Sequence, residues 1–380
     1  MQIIKGSASS TPTPSPTPIA ATSKKMIATG GHNSINLSSD PADNNCTYVV
    51  RHTCRSACVD VQLMWINYYA SSGDNVGSDP VTIKSSIVYE GSVYPISFNG
   101  RRSVVIDPGT TVTSDSIGVE MKEGDIFYTR TFVSVPEGGK FPQGYVTTPA
   151  KGEGKTAGDV VDSATGHSTN VDSAFNPIVI IGTEKTPRPS VLLMGSSTME
   201  GAGDSFDGGG FGERAFSEFA WTNISRGGES AYHNTSVRKQ FRAQTYKYAT
   251  HAVIYYGSND IGGTAVPTIK ANFQAIWDAL AARGIKVWHC TINPKPNVSE
   301  GVQTINTTVE QRRQEINTWL KTLPAPLTGC LDVNVPVEDS SNPGLWKPEY
   351  LADGTHTNQA GQTAIANYIK ATYIDTGLFK

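Results

Sequence analysis

Five residues spread over the second half of this 380-residue chain could together support nucleophilic chemistry at an acyl carbon: Ser197, Gly227, Asn259, Asp353 and His356. Ser197 follows Pro189-Ser190-Val191-Leu192-Leu193-Met194-Gly195, an apolar run bounded by Pro and Gly that reads as a buried parallel strand. The C-terminal end of such a strand is where open α/β sheets bind ligands. A serine hydroxyl is a weak nucleophile until a base takes its proton, and His356 is the candidate base. Asp353 lies three residues earlier, so a single turn can bring its carboxylate to the imidazole Nδ1, where it would fix the tautomer and stabilise the imidazolium. A tetrahedral oxyanion needs donors. The backbone N–H groups of Ser197 and Gly227 and the side-chain amide of Asn259 would supply three. Gly227 has no Cβ to hold a substrate away, and Gly257 would let the loop turn tightly below Asn259.

These residues need a scaffold, and the pattern from 188 to 380 provides one. Apolar strands are expected at 190–194, 221–225, 251–256, 285–292 and 330–335. Helices are expected near 213–220, 231–246, 267–283, 308–322 and 358–373. The helix at 267–283 places Ile269, Phe273, Ile276, Trp277 and Leu280 at helical spacing and stops at Gly284. Alternation of this kind predicts one parallel sheet with right-handed crossovers. A Gly-rich loop with Gly201, Gly203, Gly208, Gly209, Gly210 and Gly212 follows the first strand.

Residues 26–135 read differently. Val59–Tyr69, 81–83, 87–89, 94–98, 103–106, 117–121 and 126–135 are short β-branched and aromatic runs, separated by turns such as Asn99-Gly100 and Asp107-Pro108-Gly109. That spacing predicts an all-β sandwich, jelly-roll-like. Residues 136–176 are expected to form a long loop, with Val179–Gly182 returning to the sandwich and a boundary at Lys185–Pro189. The first 25 residues are rich in Pro, Ser and Thr and read as a semi-rigid tail: either disordered or an anchor to a larger assembly or oligomer. The expected organisation is therefore a tail (1–25), a β-sandwich domain (26–187) and an α/β domain (188–380).

The second half resembles the SGNH (GDSL-like) hydrolase superfamily, which is named for Ser, Gly, Asn and His on loops at successive strand ends. Gly195-Ser196-Ser197-Thr198 matches the first block, Gly227 the second, Gly257-Ser258-Asn259-Asp260 the third and Asp353-Gly354-Thr355-His356 the last. Each motif alone is weak; four in order is a strong signal. Ser196 stands where the family usually has Asp, which predicts altered local hydrogen bonding with the nucleophile kept. The resemblance implies a three-layer α/β/α domain and a serine ester hydrolase with no cofactor and no metal. In layout it is similar to carbohydrate acetylesterases with an added β-sandwich, which implies removal of O-acetyl groups from a glycan. The alternatives are a short-chain lipase or thioesterase and a non-catalytic structural or glycan-binding protein on the same fold.

A net charge of -3 with no basic cluster argues against nucleic acid as the main partner. No apolar run is long enough to span a membrane. Met1–Lys5 leads into small polar residues without the apolar core of a secretory signal. With the tail and the β-rich region, this is similar to bacteriophage virion proteins that deacetylate surface glycans. Virion-associated, extracellular and cytoplasmic placements stay open. Cys46, Cys54, Cys58, Cys290 and Cys330 favour free thiols over a Cys54–Cys58 disulfide or a zinc site that includes His52. Tyr232 and His233 are candidate pocket residues, His289 a core histidine, and Glu338 and Asp339 solvated carboxylates.

Overall fold

The computed structural model describes residues 24–165, 173–204, 209–235, 238 and 241–379. All but the last two residues of the expected tail lie outside the described residues, and Lys24–Met26 is already a strand.

The N-terminal part is built from two antiparallel sheets. One runs Lys24–Met26, Val179–Glu184, Cys58–Ile66, Thr111–Thr113; the other runs Val104–Ile106, Val81–Tyr89, Ile126–Ser134, Cys46–Thr53, Gly154–Ala157. Val61, Leu63 and Trp65 from the first share an apolar core with Val50, Ile83, Ile87 and Phe127 from the second. Two expectations change here. The runs 81–83 and 87–89 are one strand, because the polar residues between them are satisfied inside the sheet: Ser85 Oγ donates to the Arg130 carbonyl at 2.9 Å. The stretch 136–176 is not simply a loop. Phe141–Gln143 pairs with Asn36–Ser38, and Gly154–Ala157 extends the Cys46–Thr53 edge. Residues 166–172 lie outside the described residues.

The C-terminal part is a parallel sheet in the order Gly31–His32, Ala220–Asn223, Ser190–Gly195, His251–Tyr255, Lys286–Cys290, Leu327–Leu331. Its first edge strand comes from the N-terminal segment. Side chains alternate across a strand, and this sheet is apolar on both faces. Leu192 and Met194 face the helices Val266–Ala281 and Thr307–Lys321 through Phe273, Trp277 and Ile316. Val191 and Leu193 face Gly210–Ala215 and Gln359–Ile369 through Phe211, Ile365 and Ile369. Met26, Met64, Ile66, Val179 and Ile181 of the four-stranded N-terminal sheet belong to the same apolar cluster as Leu192 and Met194. The two parts are therefore packed together, not merely tethered.

Three elements differ from the expected ones. The helix expected at 213–220 is Gly210–Ala215, and Ala220–Asn223 is already strand. The helix expected at 231–246 is replaced by two 3-10 turns, Ala231–Asn234 and Arg242–Tyr248; residues 236, 237, 239 and 240 lie outside the described ones. The second turn starts afresh because the Asp74 carboxylate accepts the amides of Phe241 and Arg242 at 2.8 and 2.9 Å. The strand expected at 330–335 is Leu327–Leu331. Among the described residues no helix is long and apolar enough to cross a membrane.

Candidate active site

The Ser190–Gly195 strand runs into Ser196, whose backbone is still extended, and Ser197 opens a single helical turn, Ser197–Glu200. As the first residue of that turn, Ser197 has a backbone N–H with no intrahelical acceptor. Its Oγ lies 2.7 Å from His356 Nε2, and His356 Nδ1 lies 2.9 Å from Asp353 Oδ2. Asp353 Oδ1 accepts the amides of Thr355 and His356 at 2.6 and 2.7 Å. The carboxylate thus closes its own turn and aims the imidazole at the serine. Partial burial works against its charge, but the bonds from His356 and Thr355 outweigh that and hold its pKa below the ordinary 3.8.

Gly227 lies against the serine: a methyl group on its Cα would come 3.6 Å from Ser197 Cβ. The Gly227 N–H donates to Glu200 Oε2 at 2.6 Å. The same methyl would sit 2.7 Å from that oxygen, so the absent side chain makes room for the carboxylate. Glu200 Oε1 has Arg226 Nη1 3.8 Å away. Burial raises the Glu200 pKa, opposed by Arg226 and by the Gly227 amide. The Asn259 side chain donates to the Glu229 carbonyl at 2.9 Å, which ties the third block to the loop of the second. Gly257 has φ +111, and a side chain there would run into Ile292, so the turn beneath Asn259 requires glycine. Asp260 accepts the Ala231 amide with both oxygens at 3.1 Å, and burial lifts its pKa to about 6.

Ser196, in the place of the family's Asp, is 1 % exposed, and its hydroxyl has no hydrogen-bond partner among the described residues. His233 is used locally, its Nδ1 accepting the Ser230 amide at 3.1 Å, while Tyr232 is exposed beside it. His289 is fully buried against Phe273, its pKa lowered to about 4 by burial. Glu338 is not solvated as expected. It pairs with the buried Arg313, because the Leu327–Leu331 strand ends early and the following loop folds back. The five cysteines are free, with the Cys54 and Cys58 sulfurs 3.9 Å apart.

Sequence reasoning missed Glu200, Glu229, Arg242 and Asp74. Glu200 had a legible signal, three residues beyond Ser197 on a helical turn. The others had none, since no local periodicity links residues so far apart.

A parallel sheet flanked by helices, with the four motif blocks meeting beside its central strand, defines an SGNH-type domain preceded by a strand-rich region. Residues 193–364 match the model of the GDSL-like Lipase/Acylhydrolase family, which places this domain in the GDSL-like lipase/acylhydrolase (SGNH) superfamily. No curated protein matches the chain. Among solved structures, a GDSL-like lipase from Bacteroides thetaiotaomicron is similar at 15% identity over 50% of this chain and 89% of its own, with a TM-score of 0.37. A psychrotrophic esterase from Pseudoalteromonas sp. is similar at 16% identity over 51% and 100%, with a TM-score of 0.37. A family two carbohydrate esterase from Clostridium thermocellum is similar at 11% identity over 91% and 98%, again with a TM-score of 0.37.

Proposed function

We propose that this chain is a serine ester hydrolase that removes small acyl groups, O-acetyl above all, from a carbohydrate. The observation that carries the hydrolytic part is the unbroken relay from Ser197 Oγ through His356 to Asp353, at 2.7 and 2.9 Å. In this mechanism His356 Nε2 takes the Ser197 proton as Oγ attacks the ester carbonyl carbon. The negative charge that forms on the carbonyl oxygen is met by the N–H groups of Ser197 and Gly227 and by the Asn259 amide. The tetrahedral adduct collapses, the imidazolium protonates the leaving alcohol, and an acyl-Ser197 ester remains. Water, deprotonated by His356, repeats the sequence and releases the acid. Glu200 must surrender the Gly227 N–H for that donor to take part.

A small acyl group suits a site whose base and carboxylate reach solvent: the His356 and Asp353 side chains are 21% and 56% exposed. We read the strand-rich region as a β-sandwich that presents or borders the glycan, and the Pro-rich tail as its attachment to a virion. The test is acetate release from O-acetylated bacterial polysaccharides by wild type against Ser197→Ala. Release by the wild type alone supports the proposal; no release from any of them, with p-nitrophenyl acetate still cleaved, removes the carbohydrate part. A p-nitrophenyl ester series separates the lipase or thioesterase alternative, since rates should fall sharply beyond short acyl chains.

A further inference from the structure

We infer that the Tyr68–Val76 hairpin of the strand-rich region is a positioning part of the active site, acting through Asp74, Arg242 and Glu229 on the loop that carries Gly227. The inference rests on the hydrolase proposal above and adds residues to it.

Arg242 has no solvent exposure, and neither do the side chains of its two partners, Asp74 and Glu229. Its Nε bonds Asp74 Oδ1, and its Nη1 and Nη2 grip Glu229 Oε2 and Oε1 at 2.9 and 2.7 Å. A forked, fully desolvated pairing of this kind fixes geometry as well as charge. Arg242 also donates to the Ile224 carbonyl at 3.0 Å, just past the Ala220–Asn223 strand. The hairpin makes three more bonds, two to the same loop and one further along the chain. The Gly73 amide donates to Glu229 Oε1 at 2.9 Å, the Asp74 amide donates to the Arg238 carbonyl at 2.9 Å, and Arg226 Nε donates to the Ala70 carbonyl at 2.9 Å.

What this clamp holds is the segment Arg226–Glu229. Gly227 donates its N–H from that segment, and the Glu229 carbonyl holds the Asn259 amide at 2.9 Å. Two of the three oxyanion donors therefore take their position from one loop. That loop is pinned from outside the α/β domain by a carboxylate more than a hundred residues away in sequence. Oxyanion stabilisation depends on donors fixed before the charge develops, so loosening the clamp should slow the chemical step more than it weakens substrate binding.

The test is a double-mutant cycle between Asp74→Asn and Asn259→Ala, read as kcat and KM on p-nitrophenyl acetate and normalised to serines titrated by a fluorophosphonate. Asp74→Asn should lower kcat per titrated site about 10- to 100-fold with KM within about 2-fold. In the Asn259→Ala background the same change should cost clearly less than in the wild type, since one of the two donors it positions is already gone. Should Asp74→Asn fail to fold, Arg226→Lys takes its place. It is partly exposed, removes the bond to Ala70, and should show the same non-additivity with a smaller loss. Asp43→Asn, which breaks the Lys155 ion pair elsewhere in the strand-rich region, gives the effect of destabilisation alone and should leave kcat per site unchanged. Fully additive losses, or equal losses from Asp43→Asn, overturn the inference. A wild type that neither labels nor turns over defeats the hydrolase proposal itself, a separate outcome.

Discussion

Glu200 offers a test of the oxyanion assignment, because it occupies one of the donors in the resting site. Its carboxylate accepts the Gly227 N–H at 2.6 Å, the donor assigned here to the oxyanion. A hydrogen bond to an ionised group contributes about 1.5–3 kcal/mol net, and every 1.36 kcal/mol is about tenfold in rate. Part of the loss is offset when the freed carboxylate meets water and Arg226, 3.8 Å away. Glu200→Ala should therefore raise kcat/KM on p-nitrophenyl acetate about tenfold, and Glu200→Gln, a neutral acceptor, by less. The pH dependence has a defined sign. Burial raises the Glu200 pKa above 4.5, so falling pH neutralises the carboxylate earlier than for a solvated Glu and weakens its hold on Gly227. The advantage of Glu200→Ala over wild type should shrink from pH 8 to pH 5. A tenfold loss in Glu200→Ala, or a ratio indifferent to pH, would show that the carboxylate shapes the loop instead of occupying the donor.

Asn259→Ala should lower kcat about 100- to 1000-fold with the fold intact by circular dichroism. Glu213 is buried beside His32 and Asn223, and burial pushes its pKa up to about 8 while that of His32 falls to about 3. A carboxyl with a raised folded-state pKa contributes stability below its ordinary 4.5, and that contribution is lost as pH rises through about 8. Glu213→Gln should accordingly gain in Tm over wild type on going from pH 5 to pH 8; a constant difference contradicts the burial argument. Asp353 has the opposite sign: its pKa is held below 3.8, so its contribution is present above that value and lost as pH falls through the folded-state pKa. Any Tm advantage of wild type over Asp353→Asn should close as the solution is acidified below pH 3.8.

Much of the site was legible because its chemistry is local. Asp353 and His356 lie on one turn, and Ser197 follows an apolar run bounded by Pro and Gly, the pattern of a strand covered on both faces. The helices at 266–281 and 307–321 follow from Ile269, Phe273, Trp277, Ile316 and Leu320 at helical spacing. The expected helix at 231–246 gave way because Arg242 serves a buried ion cluster with Asp74 and Glu229 that local periodicity does not encode. The edge strand Gly31–His32 was invisible for a related reason. Two residues carry no pattern, and only the exposed side of Ala220–Asn223 recruits them. Gly154–Ala157 is polar and short, so it reads as loop until its neighbour's unpaired edge is known.

The central claim is that Ser197 is the nucleophile, activated by His356. Labelling the full chain with a fluorophosphonate and mapping the adduct by peptide mass spectrometry tests it directly. One stoichiometric adduct is expected on the peptide containing Ser197, absent in Ser197→Ala and strongly slowed in His356→Ala. An adduct on a different serine, or ester hydrolysis that survives undiminished in Ser197→Ala, would contradict it.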